Sequence, residues 1–272
     1  YYGHSRIAGN SISGCSEGVL VSSGQAGFST EIRGNAVTVP LDGYAGIETG
    51  RLYRVRVTGN TVVGGGRSGS PGGIYVHGNS TFQPEPYALV DSNTVRQTLA
   101  WGIRAEYVDS LEIRGNLVED AAEPAGCYYY ECPYLGAIAL RDNFLYSARV
   151  VGNTIRRPRS NGIVVDQLDT ATVFVDSNAV SVADSVAVRL FNGRFDLQGN
   201  NIRNNRGDGV RLETYGGPHE MHGNAFKGNG GYSANDNYGE STTNADGNWW
   251  GADGQPPGGP GADSANRISD NA

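Results

Sequence analysis

The chain has 272 residues, 38% of them hydrophobic, and a formal net charge of −7 from 21 basic and 28 acidic side chains. Lys227 is the one lysine in the sequence, and no basic stripe alternates with aromatic residues, so we expect no nucleic-acid partner. The sequence has no apolar run long enough for a transmembrane helix and no lipidation motif, so we expect no membrane partner either.

Ten Asn residues recur in one local frame, with an apolar residue three positions before and another two positions after each. They are Asn10, Asn35, Asn60, Asn93, Asn116, Asn153, Asn178, Asn200, Asn224 and Asn248. Seven of the nine intervals are 22 to 25 residues long, and the other two, of 33 and 37 residues, contain insertions. The residue before each Asn is Gly or Ser, which suits a tight corner. A unit of roughly two dozen residues therefore repeats along the chain.

Each repeat is predicted to contain two short strands. The first carries the apolar residue after the Asn, and the second carries an apolar residue that follows a small one, at Val19, Ile47, Ile74, Ile103, Ile138, Ile163, Val186 and Val210. Strands this short must pair with the same strand of the next repeat, about 4.8 Å away. We therefore predict stacked parallel coils in which the Asn amides bond along the stack.

This repeat resembles the right-handed parallel β-helix superfamily, which includes pectate lyases, polygalacturonases, alginate epimerases and some carbohydrate-binding modules. The resemblance covers essentially the whole chain and implies an all-β, right-handed parallel β-helix solenoid of about eleven coils. We expect one domain over residues 1–272, excised from a larger secreted protein, with residues 245–272 as a C-terminal cap. Trp250 falls at an inward position there, and Pro256, Pro257 and Pro260 cannot continue the strand ladder.

Three insertions, residues 64–70, 77–88 and 119–135, interrupt the repeat, and we predict that they wall a groove on the second strand. The candidate ligand-binding residues are Tyr75, His77, Trp101, Arg104, Glu106, Tyr128, Tyr129, Tyr130, Tyr134 and Arg141. Aromatic rings suit the apolar face of a pyranose, and planar Arg and Glu groups suit its hydroxyls. Local packing of these loop aromatics is the alternative.

One of the two outward rows of the second strand is also predicted to carry charges of alternating sign, from Glu106 onward. After Arg104 the first row continues through Ala139, Val164, Ala187 and Arg211, and after Glu106 the second row continues through Arg141, Asp166, Arg189 and Glu213. These charges are either sugar contacts or a salt-bridge ladder that fixes register, each exposed link contributing about 0.2–1 kcal/mol.

Catalytic motifs of related enzymes are incomplete in this chain. The polygalacturonase motifs Asn-Thr-Asp, Asp-Asp, Gly-His-Gly and Arg-Ile-Lys do not occur. Residues 215–220 resemble the Tyr-Gly-Phe-Asp-Pro-His-Glu motif of mannuronan C5-epimerases, which implies proton transfer by Tyr215 and His219, but the carboxylate that neutralises the uronate is missing. A chance turn is the alternative interpretation of this segment.

Cysteine and acidic residues suggest two further features. Cys127 and Cys132 lie in one insertion, where a disulfide is favoured over a metal site, and Cys15 is expected to be a buried small residue. Asp236, Asp246 and Asp253 are calcium candidates among glycines, although the spacing of a calcium loop is absent. We expect no cofactor, with calcium as the possible exception.

These features predict a non-catalytic carbohydrate-binding module that recognises a plant cell-wall polysaccharide, with xylan as the first guess. The expected partners are the polysaccharide and a covalently linked glycan-degrading domain, in a secreted protein. This prediction depends on the resemblance to β-helical binding modules, on the acidic charge and on the incomplete catalytic motifs. The alternatives are a polysaccharide lyase or C5-epimerase acting on a uronate polymer, and a structural or adhesive spacer.

Overall fold

A computed structural model describes residues 3–22, 28–66, 71–78, 87–123, 132–143, 147–167, 172–214, 218–236, 243–251 and 267–269. The strands, numbered in chain order, form three parallel sheets. Sheet A contains β1 (His4–Ala8), β4 (Ser29–Arg33), β7 (Arg54–Thr58), β10 (Tyr87–Asp91), β13 (Ser110–Arg114), β16 (Ser147–Val151), β19 (Thr172–Asp176), β22 (Arg194–Gln198), β25 (His219–His222) and β28 (Thr243–Asn244).

The other two sheets follow sheet A in each coil. Sheet B contains β2 (Ser11–Ser13), β5 (Ala36–Thr38), β8 (Thr61–Val63), β11 (Thr94–Arg96), β14 (Leu117–Glu119), β17 (Thr154–Arg156), β20 (Ala179–Ser181), β23 (Asn201–Arg203) and β26 (Ala225–Lys227). Sheet C contains β3 (Val19–Ser22), β6 (Ala45–Gly50), β9 (Gly72–His77), β12 (Ile103–Glu106), β15 (Gly136–Asn143), β18 (Asn161–Gln167), β21 (Val188–Phe191), β24 (Val210–Glu213), β27 (Tyr232–Asp236) and β29 (Arg267–Ser269). One turn of 3-10 helix spans Cys132–Tyr134.

The predicted all-β parallel solenoid is confirmed. Each strand pairs with the strand of the same sheet in the next coil, as β10 does with β13. Sheets of ten, nine and ten strands among the described residues correspond to slightly fewer coils than the eleven predicted. Within the C-terminal region 245–272, β29 adds a further strand to sheet C beside β27. No helix in the described part of the chain has the length and apolar character needed to cross a membrane.

The core lies between the three sheets and is filled by the inward side chains of every coil. In one coil, for example, Ile113 of sheet A, Val118 of sheet B and Ile138 of sheet C are all fully buried. The inward prediction for Trp250 is also confirmed, since it is 6% exposed and its ring stacks on Phe226 at 4.9 Å. Apolar burial of this kind, repeated coil after coil, is the main stabilising contribution to the stack.

The Asn residues form the predicted ladder at the corner between sheets A and B. Each side-chain amide from Asn10 to Asn224 donates to the Oδ1 of the next ladder Asn, for example Asn116 to Asn153 at 2.9 Å. The backbone N–H of Asn116 donates to the same oxygen at 3.0 Å, and Nδ2 also donates to the carbonyl of Val90 at 2.9 Å. The buried corner therefore satisfies its polar groups through one repeated arrangement.

A second, shorter Asn ladder was not predicted. It lies at the corner between sheets B and C, where Nδ2 of Asn205 donates to Oδ1 of Asn229 at 2.8 Å. Oδ1 of Asn205 accepts the backbone N–H of Ala183 at 2.8 Å. Both Asn side chains are buried, so this ladder also holds successive coils together.

One predicted register on sheet C is wrong by two residues. Val164 pairs with Arg189 and Asp166 pairs with Phe191, whereas the sequence pattern had placed Ala187 and Arg189 at these positions. The inward residue of β21 is consequently Val188 and not Val186, because Val188 lies between Ile163 and Val210. The supposed alternation of charge along this sheet is therefore interrupted by the apolar Phe191.

The residue before each ladder Asn adopts a left-handed backbone conformation. Substitutions at this position therefore measure how much the corner contributes to stability. Gly152 has φ 64°, and a Cβ built there would meet nothing within 4 Å, so Gly152→Ala should cost only the left-handed strain, about 1–2 kcal/mol. Ser177 has φ 55° at the equivalent position of the next coil, so Ser177→Gly should raise stability. Denaturant unfolding of the two variants checks this pair, and equal midpoints for both would contradict it.

Candidate functional site

Four adjacent strands of sheet C present a row of outward side chains that forms the candidate site. Leu20 of β3 pairs with Glu48 of β6, Glu48 with Tyr75 of β9, and Tyr75 with Arg104 of β12. His77 and Glu106 form a second row on β9 and β12. We call the residues Leu20, Tyr44, Glu48, Tyr75, His77, Arg104 and Glu106 the sheet C patch. Neighbours within each row are separated by about 4.8 Å because the strands are parallel and in register.

Glu106 organises one half of the sheet C patch. Its carboxylate accepts the Tyr75 hydroxyl at 2.7 Å and Nε of Arg104 at 2.6 Å, and it is only 5% exposed. Burial, reinforced by the Glu106 carboxylate, raises the pKa of Tyr75 far above its ordinary value, so the phenol remains a donor. These charge-assisted hydrogen bonds hold the phenol and the guanidinium in fixed positions.

The rings around this carboxylate are stacked. The Arg104 guanidinium lies 4.0 Å from the ring centroid of Trp101 and 5.6 Å from that of Tyr75. His77 is parallel to Tyr75 at 5.8 Å and meets the edge of Tyr107 at 5.3 Å. Burial lowers the pKa of His77, so its imidazole is neutral at physiological pH and can both donate and accept.

The other half of the sheet C patch is more exposed and carries an unneutralised carboxyl group. Oε2 of Glu48 is buried and has no hydrogen-bond partner among the described residues. Burial and then the nearby Glu17 carboxylate raise the pKa of Glu48. Beside it, Tyr44 is 43% exposed and Leu20 is 54% exposed, although large apolar groups are usually covered. This half therefore presents two exposed side chains, Tyr44 and Leu20, next to the Glu48 carboxyl group.

The pKa of Glu48 gives a stability test with a definite sign. A raised pKa means that the folded protein holds this proton more tightly than the unfolded chain, so the associated stability is lost as pH rises through the raised value. Glu48→Gln should therefore be more stable than wild type near neutral pH, and the difference should vanish below the ordinary value of 4.5. Thermal unfolding across this pH range checks the prediction, and a pH-independent difference would contradict it. Glu17→Gln is the companion variant and should shift stability in the same direction.

The structure brings Tyr75, His77, Arg104 and Glu106 together as predicted, but it corrects the role of Trp101. The indole is fully buried, and its Nε1 donates to the carbonyl of Tyr134 at 3.0 Å. It supports Arg104 from below and cannot stack directly on a ligand. An aromatic residue just before a strand was compatible with either orientation, and only the packing of the insertion determines it.

The described end of the third insertion, residues 132–135, covers part of the predicted groove floor. Leu135 packs with the outward side chains Ala139 and Val164 in a small apolar cluster that also contains Trp101 and Phe191. Tyr134 contacts Phe191 at 4.8 Å, and the Arg141 guanidinium lies 4.8 Å from the Tyr134 ring. This segment thus lies over the sheet and ends the sheet C patch on that side. Tyr128, Tyr129, Tyr130 and Cys127 lie outside the described residues.

Beyond this cluster, sheet C carries ion pairs with structural partners. Arg189 pairs with Glu213 at 2.9 Å and also donates to the carbonyl of Pro133 at 3.2 Å. Arg211 donates to Asp208 at 2.7 Å. These contacts agree with the salt-bridge interpretation for this part of the sheet.

The structure places His219, the predicted proton-transfer residue of the catalytic alternative, inside the solenoid. His219 is completely buried on the inward side of β25, where its ring stacks on Phe195 at 5.6 Å. A polysaccharide outside the coil cannot reach a group in this position, so the sequence-based role of His219 in proton transfer is wrong. Its partner in the motif, Tyr215, lies outside the described residues.

Metal binding receives no support from the described residues, which include no group of three His, Cys, Asp or Glu side chains able to hold an ion. Asp236 ends β27, and Asp246 follows β28 on another sheet. Asp253 lies outside the described residues. Cys15 is a free thiol of intermediate exposure and is less buried than predicted.

Sequence reasoning missed Tyr44 and did not assign Glu48 or Leu20 to the site. Glu48 and Leu20 belong to the same outward row as Tyr75, so strand alternation alone could have included them. Tyr44 lies in a loop outside the strand pattern, and no periodic signal marks it.

Fold and site together define a parallel β-solenoid with a polar and aromatic patch on one sheet. Residues 1–166, more than half of the chain, match the family described as right handed beta helix region, and the chain belongs to this family. Membership is compatible with a carbohydrate-related protein. Comparisons with curated proteins and with solved structures found no match.

Proposed function

We propose that this protein is a non-catalytic carbohydrate-binding module for a neutral plant cell-wall polysaccharide, with xylan as the first candidate. In this proposal it is secreted and covalently linked to a glycan-degrading domain. The observation that supports it is the sheet C patch, where the fixed Tyr75, Arg104 and Glu106 groups lie beside the exposed Tyr44 and Leu20 side chains.

The chemistry of the sheet C patch suits sugar recognition. An exposed tyrosine ring can stack on the C–H face of a pyranose, and the neighbouring polar groups can hydrogen-bond its hydroxyls. Arg104 and Tyr75 are held in fixed orientations by Glu106. The Glu17 and Glu48 carboxyl groups also disfavour a uronate chain electrostatically, whereas the charge of Glu106 is balanced by Arg104.

Affinity electrophoresis tests the proposal on a panel of xylan, β-glucan, pectin and alginate. Tyr44→Ala and Arg104→Ala should each weaken binding to the neutral polymers about tenfold or more, the equivalent of roughly 1.4 kcal/mol. The matched control is Arg114→Ala, which removes an exposed ion-paired arginine from sheet A. It should bind like wild type.

Two results would contradict the proposal. Reducing-end or unsaturated products in parallel assays would indicate an enzyme, whereas wild-type protein that is not retarded by any polymer would indicate a structural spacer. Repeating the retardation with a chelator tests the calcium candidates Asp236 and Asp246, since a lost retardation would show that calcium is needed.

A further inference from the structure

A groove lies around the corner from the sheet C patch, where the chain passes from sheet B to sheet C. Its volume is about 410 Å³, within the range of about 300–1,000 Å³ typical of ligand sites. Its lining comes from the loops that follow β5, β8, β11, β14 and β17, and includes Leu41, Val63, Gln97, Leu99, Glu123 and Arg159. Five successive coils span roughly 19 Å along the solenoid axis, so this corner groove suits an extended chain.

The walls of the corner groove are apolar at one end and charged at the other, but the charges are balanced. Leu41 is 52% exposed at the apolar end. At the opposite end Arg159 pairs with Glu123, and Arg157 holds Asp120 through two hydrogen bonds of 2.8 and 3.0 Å. These pairs leave no net charge for an ionic ligand, whereas the exposed apolar surface matches the C–H faces of a neutral sugar.

The loop of residues 39–44 joins the corner groove to the sheet C patch. Leu41 lines the groove, while Tyr44, three residues later, belongs to the patch. The loop is fixed by hydrogen bonds from the backbone N–H of Gly43 to Pro40 at 2.8 Å and of Tyr44 to Ser16 at 2.6 Å. Gly64 packs so closely beneath it that an added Cβ would lie 2.0 Å from the carbonyl of Val39. The loop of residues 39–44 is therefore rigid, and a rigid loop between the two surfaces favours two separate, preformed sites.

We propose that the corner groove binds a second segment of the same neutral polysaccharide, so that one chain carries two glycan sites. This inference rests on the proposed function. Two weak sites on one rigid body bind a polymer more tightly than either site alone, because the second contact is made at high effective concentration. A trisaccharide is shorter than the corner groove, so it occupies one site at a time and reports each site separately.

The experiment is calorimetric titration with xylotriose, cellotriose and mannotriose, which gives the number of sites per chain. Wild type should bind two molecules of the preferred trisaccharide. Leu41→Asp, and independently Gln97→Arg, should bind one at the sheet C patch, and Tyr44→Ala should bind one in the corner groove. The control Val182→Asp changes a residue that is 47% exposed at the same corner outside the groove, and it should still bind two.

The outcomes separate the two proposals. A single site in wild type that is unaffected by Leu41→Asp and Gln97→Arg but lost in Tyr44→Ala overturns the groove and leaves the proposed function intact. Absence of binding by all three trisaccharides overturns both. For the polymer, loss of either site should weaken retardation about tenfold or more if the sites act together.

Discussion

Replacing Asn116 with Ala is expected to lower the free energy of unfolding by about 3–5 kcal/mol. The Asn116 side chain lies in the middle of the ladder and is 1% exposed. It accepts hydrogen bonds from the backbone N–H and the side-chain amide of Asn93 at 2.9 and 3.0 Å, and it donates to Val90 and Asn153. Alanine leaves these buried groups without partners, and each such group costs about 1–3 kcal/mol.

Two further variants distinguish ladder hydrogen bonds from simple loss of volume. Asn116→Asp keeps the shape and the acceptor but removes the donors, and an ionised carboxylate would face the oxygens of Val90 and Asn153. Its pKa should be raised, so this variant should regain stability as pH falls, whereas Asn116→Ala should not. Asn10→Ala is the control, because Asn10 is exposed at the end of the ladder and water can replace its bonds. Denaturant unfolding measures all three, and equal losses for Asn10→Ala and Asn116→Ala would contradict the argument.

The fold was predictable because each coil repeats one chemical requirement. Every corner between sheets A and B needs a left-handed residue, then the Asn amide, and an inward apolar residue two positions later. The pattern therefore occurs in the sequence at nearly constant spacing. The error at β21 has an equally local cause. Both Ser185-Val186 and Ala187-Val188 place a small residue before a valine, and only the distance from the preceding strand decides between them. The inward residue of sheet C lies eight positions after the inward residue of sheet B, as Ile163 does after Ile155. The same spacing from Val180 leads to Val188.

The site was less predictable because its parts come from outside the repeat. Strand alternation found Tyr75, His77, Arg104 and Glu106, whose outward direction follows from period two. The positions of Tyr44 and Leu41 depend on a corner loop, and the burial of Trp101 depends on how a long insertion packs. Neither a loop conformation nor the packing of an insertion has a period, so a single sequence contains no signal for them.

Replacing Trp101 with Ala is expected to destabilise the protein by about 3–5 kcal/mol and to weaken glycan retardation about tenfold, as Arg104→Ala does. The indole is fully buried, lies 4.0 Å from the Arg104 guanidinium and donates to Tyr134, so its loss leaves a cavity beneath both the sheet C patch and the covering segment. Arg104 would then lose the surface that orients it toward Glu106.

Trp250→Ala is the matched control for this double effect. Trp250 is also buried and stacks on Phe226, but it lies inside the solenoid far along the chain from the sheet C patch. It should reduce stability by a similar amount while the remaining folded protein binds glycan like wild type. Trp101→Phe should keep most of the packing and lose only the bond to Tyr134, at a cost of about 1–3 kcal/mol. Thermal unfolding read beside affinity electrophoresis measures both effects, and a Trp101→Ala protein that binds normally would show that Arg104 is positioned by Glu106 alone.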